Sequence, residues 1–136
     1  MTSRLENLRG LIKDQKLDAM LISSPENRRY LSGFSGSAGN LVISQDLAIL
    51  ATDFRYIEQA GVEAPGFQVV RASQDWKWLL DQLSGMNARR VGFESQSMTV
   101  SAYKLLTDLL KEMPNIHDIS FIATSGIVEK IRAVKD

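Results

Sequence analysis

Asn27-Arg28-Arg29-Tyr30-Leu31-Ser32-Gly33-Phe34-Ser35-Gly36-Ser37-Ala38-Gly39 carries three glycines and three serines around two aromatic rings, with apolar runs on either side. Glycine reaches backbone angles that other residues avoid, and clusters of Gly, Ser and Asn between periodic segments read as loops. A second segment answers it: Thr52-Asp53-Phe54-Arg55-Tyr56-Ile57-Glu58-Gln59-Ala60 opens with Asp53 straight after an apolar run and sets an arginine between aromatics. Two loops that each begin where a strand ends are where an α/β domain places its polar groups.

Working outward, Leu5, Leu8, Leu11 and Ile12 follow a cap at Thr2 or Ser3 with helical spacing, and the helix is expected to reach about Lys16. Asp18 to Ser23 reads as a short buried strand, stopped by Ser24-Pro25, with Pro25 in the first turn of a short helix. Gly39 to Ser44 and Leu47 to Thr52 are apolar runs joined by Gln45-Asp46, an antiparallel hairpin. Asp53 is the expected cap of a helix over Phe54–Ala64, ended by Pro65-Gly66 and followed by a strand at Phe67 to Arg71. Ser73 or Asp75 caps the next helix, whose inward stripe is Trp76, Leu79, Leu80 and Leu83, with Trp78 outside it and Ser84-Gly85 closing it. A strand at Arg90 to Glu94 comes next. A helix capped by Ser97 or Thr99 follows, bearing Ala102, Leu105, Leu106, Leu109, Leu110 and Met113 and stopped by Pro114. A last strand covers Asp118 to Ala123, and Ser125 caps a final helix with Ile127, Val128, Ile131 and Val134.

This alternation of about six strands with helices argues an α/β domain with a mixed sheet, because the hairpin breaks a purely parallel one. The 136 residues suit one domain, residues 1–136, with a core of its own. Its end, Glu129 to Asp136, has no Gly, Asn or Pro stop signal, which fits either a fraying helix or one leading to a further domain.

Composition narrows the chemistry. Lys+Arg and Asp+Glu are both 16, so neither nucleic acid nor an acidic membrane is an expected partner, and self-association meets little charge repulsion. There is no cysteine, which fits a cytoplasmic, reducing setting, and no apolar run of membrane-spanning length. The one histidine is His117, expected in an exposed loop after Pro114. Zinc sites and nucleophilic triads normally draw on histidine, so most hydrolytic chemistry has too few parts here.

Gly33, Gly36 and Gly39 are spaced as neither a dinucleotide fingerprint nor a P-loop. They read as a tight connection that brings Phe34 onto the core, with Gly36 at unusual backbone angles. Ser35 and Ser37 lack the spacing of a nucleophile elbow. Asp53 serves as a helix cap, and Arg55 has two readings: a solvated arginine with a packed stem, or a planar guanidinium poised to bind a carboxylate through two hydrogen bonds.

These segments resemble those of a known family. Asn27 to Ser37 resembles the N-I-R-Y-L-S/T-G-F-S/T-G-S segment of Xaa-Pro aminopeptidases and prolidases, and Thr52 to Ala60 is similar to their T-D-x-R-Y-x-x-Q-A. Val91-Gly92-Phe93-Glu94 resembles their V-G-F/I-E strand, and Val128 to Asp136 is similar to the segment joining their amino-terminal and catalytic domains. The resemblance covers essentially the whole chain. It implies a creatinase/prolidase amino-terminal domain with a mixed six-stranded sheet flanked by helices. It also implies a pita-bread catalytic domain after Asp136, which would hold two divalent metal ions (manganese, cobalt or zinc) to hydrolyse the bond before proline. No catalytic residue and no metal ligand is expected in residues 1–136. By the same resemblance the domain would support a homodimer or higher oligomer. It would also wall a cleft for short proline-containing peptides, with Arg55 as first candidate for substrate contact and Tyr56, Phe34 and Tyr30 after it. A creatinase-like amidinohydrolase and a non-enzymatic protein-binding module share the architecture and remain as alternatives.

Overall fold

The computed structural model describes residues 3–113 and 118–133. The expectations for Pro114, His117 and Val134 lie outside the described residues. Six strands, β1 (Ala19–Ile22), β2 (Asn40–Ser44), β3 (Ala48–Thr52), β4 (Gln68–Arg71), β5 (Arg90–Glu94) and β6 (Ser120–Thr124), form one sheet in the order β4-β3-β2-β1-β5-β6. The β2–β3 hairpin is antiparallel, as is β1–β2, while β1–β5, β5–β6 and β3–β4 are parallel. Five strands therefore point one way and β2 alone runs against them. The carboxyl ends of those five, and the start of β2, lie along one edge of the sheet.

Helices cover both faces. On one lie α1 (Arg4–Asp14), α2 (Pro25–Ser32), α3 (Ile57–Glu63) and α6 (Ile127–Arg132), whose Leu8, Ile12, Leu31, Ala60, Ile127 and Ile131 pack with Met20 and Ile22 of β1. On the other, α4 (Lys77–Gly85) and α5 (Val100–Glu112) bury Leu79, Leu80, Leu83 and Leu106 against Ala19, Leu21 and Val91. Each such leucine stabilises the fold by about 1.5–3 kcal/mol. Alternate residues of β1 serve opposite faces, which is why it reads as an unbroken apolar run.

Local chemistry sets the helix starts. Ser3, Ser24 and Thr99 each accept a backbone N–H in the first turn of their helices, and Pro25 opens α2. Asp53 accepts from Arg55 N at 2.8 Å and caps a three-residue 3-10 helix, Phe54–Tyr56, which leads into α3. Ser73 and Asp75 accept the N–H groups of Trp78 and Lys77.

Several expectations change. Trp76 precedes α4 instead of lying within its stripe, and its indole N–H donates to the Ala102 carbonyl at 3.2 Å. Trp78, expected outside the stripe, turns inward to 8% exposure and packs in the same core cluster as Leu79, Leu80 and Leu83. On α5 the neighbour of buried Leu106 is Leu105, left 66% exposed because one helix position moves the side chain out of the seam. Gly126, in the left-handed region at φ 76°, takes the cap position of α6 that Ser125 was expected to fill. The left-handed residue after α4 is Asn87, not Gly85.

Phe34 is 1% exposed, as expected for a ring carried onto the core. The need for glycine at Gly36 has another cause than backbone angle, since only Gly33 and Gly126 among the glycines have positive φ. A Cβ at Gly36 would press on the face of the Phe34 ring, 2.8 Å from both Cε atoms. Gly36→Val therefore overpacks this contact and is expected to lower stability by about 1–3 kcal/mol. An unchanged urea midpoint would remove this account of the loop.

Candidate functional site

The strand-end edge gathers the two polar segments that the sequence singles out. Helix α2 ends at Gly33, φ 83°, whose N–H donates to the Arg29 carbonyl at 2.8 Å. The chain then turns through Phe34 to Gly39 and enters β2. Arg28 reaches under this turn, with Nη2 donating to the Gly36 carbonyl and Nη1 to the Gly39 carbonyl, each at 2.9 Å. Thr52 at the end of β3 donates through Oγ1 to the Ala38 carbonyl at 2.6 Å. Three loop carbonyls are thus drawn inward.

On the outer side, Ser37 Oγ and Tyr56 Oη share a 2.8 Å hydrogen bond, and the Tyr56 ring meets Phe34 edge-on at 6.2 Å. Glu63 accepts from Ser35 N and Oγ at 2.9 and 3.0 Å, and Gln59 bonds both. The Ser35 N–H first, then Gln59, holds the Glu63 carboxyl below the usual carboxylate range. Arg55 donates Nε and Nη2 to the two oxygens of Asp53 at 3.0 and 3.1 Å, which lowers the Asp53 carboxyl and raises the Arg55 guanidinium. The pair is exposed, so its energetic weight is small.

Of the four residues singled out from the sequence, three are brought together or nearly so: Arg55 and Tyr56 at the surface, with Phe34 behind them as a buried support. Tyr30 faces elsewhere. Its hydroxyl points to the Ile131 carbonyl and Arg4 lies 4.0 Å over its ring. Beside the Asp53 end of the edge runs a groove of about 840 Å³ between the strand ends and α4 and α5, bordered by Thr52, Phe54, Arg71, Trp76, Leu105 and Asp108.

Sequence reasoning missed a second cluster. Asn27 is fully buried, and its Nδ2 donates to Glu94 Oε2 at 2.5 Å and to Glu129 Oε2 at 3.0 Å, while Arg132 Nη1 donates to its Oδ1 at 2.9 Å. Glu94 Oε1 also accepts the N–H groups of Ser23 and Ser24, both at 2.8 Å. The partners are 67 to 105 positions apart, so the only available signal was the presence of Asn27 and Glu94 inside the two quoted motifs. Among the described residues, no group of three or more His, Cys, Asp or Glu side chains could hold a metal ion.

A model of the creatinase/prolidase N-terminal domain matches residues 4–134. The chain belongs to that family. The N-terminal domain of the cytoplasmic peptidase PepQ from Mycobacterium tuberculosis shares 37% identity and a TM-score of 0.85, covering 95% of this chain and 98% of that one. The uncharacterized peptidase YqhT of Bacillus subtilis is 38% identical over 97% of this chain, which spans 36% of YqhT. The Xaa-Pro dipeptidase of Bacillus anthracis has 33% identity and a TM-score of 0.87, over 98% of this chain and 36% of that one. The creatinase/prolidase domain described here thus spans about a third of the length of such longer relatives.

The lowered carboxyls set a pH dependence. A carboxyl lowered in the folded state stabilises the fold above its unfolded pKa, and that contribution is lost as pH falls through the folded value. Wild type is expected to exceed Glu63→Gln in stability at pH 7, the gap narrowing as pH falls below the ordinary glutamate value. A gap equal at both ends in urea titrations would contradict the role given to Glu63.

Proposed function

We propose that this chain is the non-catalytic amino-terminal domain of a longer Xaa-Pro peptidase, followed by a catalytic domain of the same polypeptide. The observation that carries this is the end-to-end family match to a chain that spans only about a third of YqhT and of the Bacillus anthracis dipeptidase. Two divalent metal ions in the catalytic domain would supply the activated water for hydrolysis. The described residues of this chain do not fit such a site, and no step of the hydrolysis is assigned to them.

What this domain contributes in that reading is a wall. The strand-end edge presents Arg55 and Tyr56 on a rigid base of Phe34, with the turn at 34–39 beside them. Set over a catalytic cleft, in a homodimer or higher oligomer, such an edge limits the cleft to short proline-containing peptides. Arg55 arrives already paired with Asp53, so it meets a substrate as a nearly neutral, oriented fork whose Nη1 has no partner among the described residues, and not as a bare charge. No helix of the described residues is long and apolar enough to cross a membrane, and the cysteine-free composition favours the cytoplasm.

The native polypeptide in its source cells is expected to run well above 15.2 kDa on an immunoblot, and its purified form to cleave Xaa-Pro peptides with added manganese. Residues 1–136 alone are expected to show no turnover. A native band at 15.2 kDa, or metal-dependent turnover by the 136-residue chain, would overturn the proposal. In the longer protein, Arg55→Ala is expected to raise KM for short peptides by about tenfold with the fold intact. Unchanged kinetics would remove Arg55 from the wall.

A further inference from the structure

Arg28 is the one charge in the strand-end edge whose surroundings call for something else. It is 5% exposed, and among the described residues no carboxylate lies within ion-pairing distance of it. Among the described residues its two terminal nitrogens bond only carbonyls, and its buried Nε has no acceptor. Burial draws its pKa down, and the exposed Glu26 offsets this from a distance. An arginine stays protonated under such conditions, so the turn at 36–39 rests on a positive charge without a counter-ion. Burying an unpaired charge is costly, and a partner that brings a negative charge to the turn recovers part of that cost.

The turn is also shaped to receive one. All its peptide bonds are trans, and a trans peptide sets each carbonyl opposite the following N–H. The Gly36 carbonyl points in to Arg28 and the Ala38 carbonyl in to Thr52, so the N–H groups of Ser37 and Gly39 turn away from those donors. Neither N–H has an acceptor among the described residues. Ser37 is exposed, and its hydroxyl and that of Tyr56 share one hydrogen bond, which leaves a second hydroxyl hydrogen free to donate. The two N–H groups stand on either side of Ala38, and such donors together with a free hydroxyl hydrogen, set over a fixed positive charge, favour a bound anion. The flanking acid, Glu63, is held aside by Ser35 and Gln59 and is balanced in part by Arg29.

We propose that the 36–39 turn, backed by Arg28, is a carboxylate-binding site, with Ser37 N–H and the Ser37–Tyr56 hydroxyl pair as donors. It differs from the Arg55 fork, whose charge Asp53 already neutralises. The carboxylate belongs either to the free C-terminus of a short peptide or to an acidic side chain of a second copy of this chain. The site stands on the geometry of this chain and does not require the peptidase reading, so its test involves no turnover.

Amide resonances of the 136-residue chain, titrated with sodium acetate at constant ionic strength and with acetamide as neutral control, decide the matter. Acetate is expected to shift Ser37 and Gly39 saturably in the millimolar range, and acetamide not to. N-acetylproline acting as acetate does identifies a peptide terminus as a ligand the site accepts. The same resonances moving on simple dilution, without added anion, identify a second copy as the source. Arg28→Met is expected to weaken acetate binding by about tenfold. Should that variant not fold, Tyr56→Phe keeps Arg28 in place and is expected to weaken binding without abolishing it. Shifts in the turn no larger than those in α1, or equal shifts with acetamide, would overturn the site.

Discussion

The buried Glu94 carboxylate holds the strand-end edge together. It takes the N–H groups of Ser23 and Ser24 where β1 passes into α2, and the amide of Asn27 one turn later. Glu94 is itself the last residue of β5, so one side chain locks the central parallel pair of strands to the helix that leaves it. Asn27 extends the lock to Glu129 and Arg132 of α6. An amide suits this place because it donates to carboxylates on one side and accepts from a guanidinium on the other. A buried polar set of this kind is stabilising only when every member is satisfied, and removing one leaves its partners desolvated at a cost of about 1–3 kcal/mol each.

From that lock the rest of the edge follows. Because β2 alone runs against the other strands, the turn after α2 must come back to the same edge at which β1, β3, β4, β5 and β6 finish. Arg28, one residue beyond Asn27, then falls under the turn and gathers its carbonyls, and Thr52 at the end of β3 takes another. The 3-10 turn that begins at Asp53 brings Tyr56 against Phe34 from the far side. Two adjacent residues of one helix thus do separate work: Asn27 fixes the helix to the sheet, and Arg28 fixes the loop to the helix.

What the sequence made legible was local. Ser3, Ser24, Pro25, Asp53 and Thr99 announce helix starts through contacts within three residues, and the Gln45-Asp46 link announces the hairpin. What it hid was tertiary. The burial of Trp78 comes from elements distant in sequence, since it packs in one core cluster with Phe93 and Leu106, and helical spacing within residues 76–83 does not show it. The demand for glycine at Gly36 comes from the ring of Phe34, not from the backbone of Gly36. Arg28 is buried because the folded turn supplies the carbonyls that receive it, and nothing in the sequence around Arg28-Arg29 shows this. At the candidate site the motif residues Arg55 and Tyr56 were visible, whereas the pairing of Arg55 with Asp53 and the distant bonds of Asn27 needed coordinates.

The position of β1 bears on how the chain reaches this state. β1 finds β2 about twenty residues on, through a short connection, but its other edge waits for β5, with Ala19 opposite Val91. Contacts distant in sequence form late because closing the intervening loop costs entropy before it yields contacts. During synthesis from the amino terminus, the all-buried β1 therefore has a bare edge until Arg90 to Glu94 emerge. An apolar strand with an unpaired edge is a template for wrong pairing. The nascent chain is thus most exposed to aggregation in the interval between completing the hairpin and delivering β5, and Glu94 closes that interval as it docks.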